Sequence, residues 1–140
     1  MSSRKHIVRR LRGDADFFRH KTLEILTALQ ALGVIRRPAT LRVGVFLLPN
    51  AELRRLKREF LGQDTPLVDV LSFPAPPGFP RLEAAKFLGE VYLNRDIVRN
   101  RRRGTRLLIH GALHLLGFSH GRKSDKIRMQ KLEKRLVQNL

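Results

Sequence analysis

The chain contains no cysteine. That excludes a disulfide framework, a thiolate zinc site and a cysteine nucleophile. It is compatible with a reducing cytosol, and the cytoplasm is the expected compartment. No apolar run approaches the roughly 18 residues that a membrane span needs, so no membrane partner is expected. Internal repeats and low-complexity linkers are also missing, and the 140 residues read as a single domain, 1–140. Acids are scarce: 12 Asp and Glu stand against 29 Lys and Arg, a net charge of +17. Such an excess in so small a chain predicts a polyanionic partner, RNA or DNA before a small acid. The plain alternative is solubility by charge. A hydrophobic content of 42% and a mean hydropathy of -0.27 argue against disorder. A chain of this length buries roughly 68% of its unfolded surface, enough for a core without staples.

What is present divides into strands and helices in alternation. The start, Met1 to Arg12, is Arg-rich and acid-free, faintly like a transit peptide but without the apolar core of a secretory signal. A basic first strand around His6, Ile7 and Val8 is expected there. Asp14 to Leu32 reads as a helix with Asp14 as N-cap, because Phe17, Leu23, Leu26 and Leu29 recur at helical spacing and Gly33 stops it. Pro38 leads into a strand over Leu41 to Leu48. A short basic helix, Ala51 to Leu61, ends at Gly62. Val68 to Phe73 is a strand closed by Pro74, and the prolines up to Pro80 make an irregular loop. Glu83 to Leu88 has no clear pattern, and Gly89 to Asn94 is a further strand. Arg95 to Arg103 reads as a basic helix. Thr105 to Leu116, capped by Thr105, and Ser124 to Leu136 are the strongest helices. This order predicts an α/β or α+β fold with a small sheet of about four strands.

The chemistry concentrates in His110-Gly-Ala-Leu-His114-Leu-Leu-Gly117-Phe-Ser-His120. Residues four apart lie on one helical face, so His110 and His114 can share one metal ion. A third ligand cannot come from the same stripe. Gly117 can take φ > 0 and end the helix, letting the chain turn and bring His120 back to the ion. Three neutral imidazoles leave a fourth position open, the pattern of a catalytic rather than a structural zinc site. The surrounding Leu107, Leu108, Ile109, Ala112, Leu113, Leu115 and Leu116 predict a buried helix. Its histidines then need partners; two core histidines satisfied by backbone carbonyls are the bland alternative. The spacing matches that of metzincin proteases, but their general-base Glu follows the first His, and here that position is Gly111. Met129 reads as a core residue of the last helix, beside Ile127, Leu132 and Leu136, rather than a Met-turn.

These residues resemble the signature of the YbeY family, the bacterial rRNA maturation endoribonucleases. Phe60, Gly62, Asp64 and Pro66, followed by Asp69-Val-Leu-Ser-Phe-Pro74, look like its central motif. Leu88-Gly-Glu-Val91 is similar to its Leu-Gly-Asp-Ile strand. Met129 and Glu133 stand where its last helix carries Met and Glu. The resemblance implies a zincin-like α+β fold in which a small mixed sheet packs against several helices, with the metal helix buried. It implies one Zn²⁺ on His110, His114 and His120, and cleavage of single-stranded RNA. It further implies action on rRNA of the small ribosomal subunit in maturation and quality control, alongside ribosomal proteins or assembly GTPases. The chain departs from the family at Ser119, where an Asp is usual. It departs also at Leu61, which aligns with the family's Arg, at Lys57, which aligns with its Asn, and at Leu67-Val68, which replace a single Thr. Arg58, one turn before Leu61 on the same helical face, is the expected substitute for the charge stabiliser. RNA contacts are expected from Arg55, Lys57, Ser72, Arg101, Arg102 and Arg103. The reading from another class is a ribosome-assembly or RNA-binding factor with a mainly structural metal. A metal-dependent hydrolase of small substrates fits the site but leaves the charge unexplained.

Overall fold

A computed structural model describes residues 3–36, 41–78 and 86–140. One long helix, α1 (Arg4–Ala31), comes first. Its buried Asp14, Phe18, Thr22, Ile25, Leu26 and Leu29 recur every three or four residues, the single stripe of a helix packed on one side. The expected first strand is therefore corrected: Ile7 and Val8 lie near the start of α1. Two β-branched residues favour a strand locally, but the arginines and lysine around them are good helix formers. They also extend a helix already nucleated downstream, which adds one hydrogen bond per residue. Asp14 is likewise mid-helix and buried rather than a cap.

Strand β1 (Leu41–Leu48), helix α2 (Asn50–Leu61), strand β2 (Val70–Pro74) and strand β3 (Lys86–Asn94) follow. The sheet has the order β1-β3-β2, with β1 parallel and β2 antiparallel to the central β3. The fold is α+β with a mixed sheet, of three strands among the described residues where about four were expected. Pro38, Pro80 and residues 83–85 lie outside the described residues, as does Met1. Strand alternation sends Val45, Val91 and Leu93 to one face, where α1 and helix α3 (Arg101–Leu115) form the main core with Phe18, Leu108, Ile109 and Leu113. Phe46, Leu71, Phe73 and Tyr92 take the other face, partly covered by Leu53 and Leu56 of α2.

A buried polar group sets the entry to α3. Asn94, at the end of β3, is 1% exposed. Its Nδ2 donates to the Val68 carbonyl at 3.0 Å, and its Oδ1 accepts from the backbone N–H of Asp96 at 3.0 Å and Ile97 at 3.3 Å. The chain passes through a short 3₁₀ turn (Ile97–Arg99) into α3, so the continuous helix expected over Arg95 to Arg103 is broken there. The cap of α3 is Asn100, whose Oδ1 accepts from the Arg103 N–H at 3.2 Å. Thr105, expected as the cap, lies one turn inside and donates to the Arg101 carbonyl at 2.8 Å, the back-bond a hydroxyl makes within a helix. The last helix, α4 (Lys123–Asn139), lays buried Met129 and Leu136 against the core. Met129 is thus the core residue its neighbours predicted.

Candidate metal centre

Helix α3 lies very close to the sheet. A Cβ at Gly111 would stand 2.9 Å from Ser72 Oγ and 2.9 Å from Val91 Cγ1. Any larger residue would force Ser72 or Val91 to move, and the Ser72 hydroxyl donates to the Gly111 carbonyl at 3.2 Å across the gap. A protease-type glutamate at this position would therefore have to push Ser72 or Val91 aside. His110 and His114 flank the contact on the half-buried side of α3. The helix ends at Leu115, and Gly117 has φ 97, the left-handed conformation that L residues with a Cβ resist. That turn carries the chain through Phe118 to His120.

The three imidazoles converge. Nε2 of His114 is 3.0 Å and Nε2 of His120 is 3.4 Å from Nε2 of His110, and a ligand atom from each lies within 4.8 Å of the other two. Nitrogens that share a four-coordinate ion at roughly 2.0–2.1 Å stand about 3.3–3.4 Å apart, so the two separations measured from His110 are within tenths of an ångström of that spacing. The second nitrogen of two rings is already engaged. His110 Nδ1 donates to Glu133 Oε1 at 3.0 Å, and His114 Nδ1 donates to the Phe118 carbonyl at 2.9 Å. Carboxylate and carbonyl only accept, so both rings hold the tautomer that leaves Nε2 with its lone pair free. Burial, and then the neighbouring His110, push the pKa of His114 below its usual 6.5, which keeps that ring neutral and ready to ligate. No fourth His, Cys, Asp or Glu joins the group among the described residues. Three imidazoles and an open position fit zinc and related divalent ions.

A family model described as Endoribonuclease YbeY matches residues 13–140. The chain belongs to the YbeY family. It is similar to an Endoribonuclease YbeY of Halorhodospira halophila, with 36% identity over 104 residues that cover 66% of either chain. Another, from Alkalilimnicola ehrlichii, is 35% identical over 126 residues, covering 82% of this chain and 73% of that one. A third, from Anaeromyxobacter, is 36% identical, and the match spans only 54% of its length. Among solved structures, the solution structure of TM1509 from Thermotoga maritima superposes with a TM-score of 0.52 at 26% identity, covering 91% of this chain and 81% of that one.

Glu133, placed in the YbeY-like last helix by resemblance but not counted among the site residues, proves to be the partner of His110. The sequence signals the need and not the partner: a carboxylate among Met129, Leu132 and Leu136, on the apolar stripe of α4, calls for one. Among the described residues, none of the other expected residues makes a hydrogen bond or ion pair with the three histidines. Ser72 sits beneath α3 with its hydroxyl donating to Gly111, so a substrate phosphate would compete for that proton while the oxygen's lone pairs still accept. Lys57 is bonded to Thr65 Oγ1 at 3.1 Å. Arg55 and Arg58 are exposed, without ion-pair partners among the described residues. They lie on α2, across the sheet from α3, and Phe60 meets Phe73 edge-on near the end of that helix. Arg101, Arg102 and Arg103 open α3, so His110 lies about 14 Å further along the axis. Arg101 is engaged there, 3.5 Å from Asp14 Oδ1 with its guanidinium 4.4 Å from the centre of the Phe17 ring. Arg102 and Arg103 are exposed.

Proposed function

We propose that this chain is a zinc-dependent, single-strand-specific endoribonuclease acting in small-subunit rRNA maturation and ribosome quality control in the cytoplasm. The observation that carries the reading is the open triad: three Nε2 atoms aimed at one point, two of them fixed in tautomer by Glu133 and the Phe118 carbonyl. A bound zinc ion supplies Lewis acidity and lowers the pKa of water towards about 7. The chain's own residues hold the ion, keep its ligands neutral and present a surface of net charge +17 to a phosphodiester backbone. The expected outcome is turnover of single-stranded RNA that a chelator abolishes and zinc restores, with His110→Ala inactive. Intact RNA under zinc-loaded conditions would overturn the nuclease reading.

Within that reading Arg58, one turn before Leu61, is the candidate charge stabiliser, and from α2, across the sheet from α3, it would have to reach the phosphate around the sheet. Removing one positioned stabiliser commonly costs on the order of 10²–10³ in rate. Arg58→Ala should lose that much cleavage with its metal retained, and a loss under about threefold, well short of that range, would assign the role elsewhere. Leu61→Arg is the complement, since a large gain would mean that the position is empty rather than replaced. One observation favours the second reading, an RNA-binding assembly factor with a structural metal: Leu61, 48% exposed, offers no charge. That factor would bind RNA and zinc without turnover.

A further inference from the structure

The first turns of α1 carry charge that the fold does not use. Every residue from Ser3 to Arg9 is exposed. Arg4, Lys5, Arg9 and Arg12 are exposed and make no ion pair among the described residues, and the Nε of Arg10 is buried without a hydrogen-bond partner. Lys5 and Arg9 stand four apart, Arg9 and Arg12 three apart, and like charges at these spacings repel. The first acid along the helix, Asp14, is only 5% exposed and faces Arg101; the next, Asp16, faces Arg19 at 3.6 Å. Nothing anionic in the described fold relieves the repulsion.

The fold places this arm. Phe18 packs where a side chain on Gly104 would go, and Leu32 shares a recess with Leu116 and Phe118. Helices α1 and α3 therefore run parallel, and the arm projects past the start of α3, where Arg99, Arg102 and Arg103 are exposed. Arg4 lies about 15 Å of helical rise before Asp14 and His110 about 14 Å beyond Arg101. The cations thus form a pole reaching on the order of 30 Å from the histidines. The α1 half of this pole precedes the stretch that the family model matches.

We propose that this pole is a second RNA contact, gripping the phosphodiester backbone of an RNA whose single-stranded part reaches the metal centre. The proposal rests on the nuclease reading for its substrate. Guanidinium groups suit phosphate because their forked donors meet two oxygens at once. A membrane surface would need a broad apolar face; the arm offers only Ile7 and Val8, 37% and 53% exposed.

The test replaces Arg4, Lys5, Arg9 and Arg12 together with glutamine, which keeps helix propensity and removes charge. Binding is measured across a salt series with the full chain under chelator, on an RNA long enough to span the pole and on a short oligonucleotide. On the long RNA the log–log salt slope should flatten by about 0.7 per phosphate lost, roughly 3 in all. Affinity near 0.15 M salt should then fall by about 10²-fold. With zinc, KM for the long RNA should rise by a similar factor while kcat, and both constants on the short oligonucleotide, stay unchanged. Lysine replacements should keep the slope. An unchanged slope, or an equal loss on the short oligonucleotide, overturns the pole, and so does a loss of binding to phosphatidylserine vesicles that exceeds the loss on RNA. Cleavage with an unmoved slope leaves the nuclease reading intact and removes the pole. A pole-dependent slope without cleavage does the reverse.

Discussion

Glu133 and the Phe118 carbonyl decide which nitrogen His110 and His114 offer, so the metal affinity of the site depends on residues that need not touch the ion. Loss of such a partner commonly lowers affinity by about 10–100-fold. Glu133→Ala should show that loss in a competition titration against a chromophoric chelator. Glu133→Gln should lose less, because its amide oxygen still accepts from Nδ1. The lowered pKa of His114 has a pH consequence for the metal-free protein. Between the folded value and 6.5, the unfolded chain binds more protons at this ring than the folded one, so stability rises with pH there. The stability is present above 6.5 and is lost as pH falls through the folded value. A urea midpoint series under chelator should fall on acidification in that window, and His114→Gln should remove that part of the slope.

At the scale of elements, two glycines do unlike jobs and should fail in unlike ways. Gly111→Ala pushes a methyl into Ser72 and Val91, an overpacking that typically costs about 1–3 kcal/mol and moves α3 off the sheet. Gly117→Ala meets nothing within 4 Å; it strains the backbone at φ 97, which costs of order 1–3 kcal/mol and swings His120. Denaturant melts should show both losses, but metal affinity per folded molecule should fall chiefly in Gly117→Ala. The sequence made α3, its glycine stop and the three ligands legible because that chemistry is local: spacing, apolar surroundings and one turn residue. It hid what is decided between elements. Asn100 outranks Thr105 as the cap because the turn that Asn94 builds delivers the chain there. Ile7 and Val8 look like strand until the helix behind them is seen to run on. Glu133 reaches His110 only because α4 packs on α3.

For the whole molecule, the rings are held from the backbone outward, through a helix, a glycine turn and two hydrogen bonds to protein acceptors. Metal should therefore add stability without creating the fold. Chelation should leave the far-ultraviolet spectrum unchanged, and zinc at about 100 times its Kd should add roughly 2.7 kcal/mol. An unfolded metal-free protein would mark the ion as structural instead. The same close seating of α3 on the sheet bears on descent. In a chain with this backbone a protease-type general base at position 111 carries a packing cost, because the carboxylate's own Cβ meets Val91 and Ser72. Val91 or Ser72 would have to shift or shrink to make room. Two chemistries that share a ligand spacing are thus set apart here by the room that a methyl group and a hydroxyl leave beneath one helix.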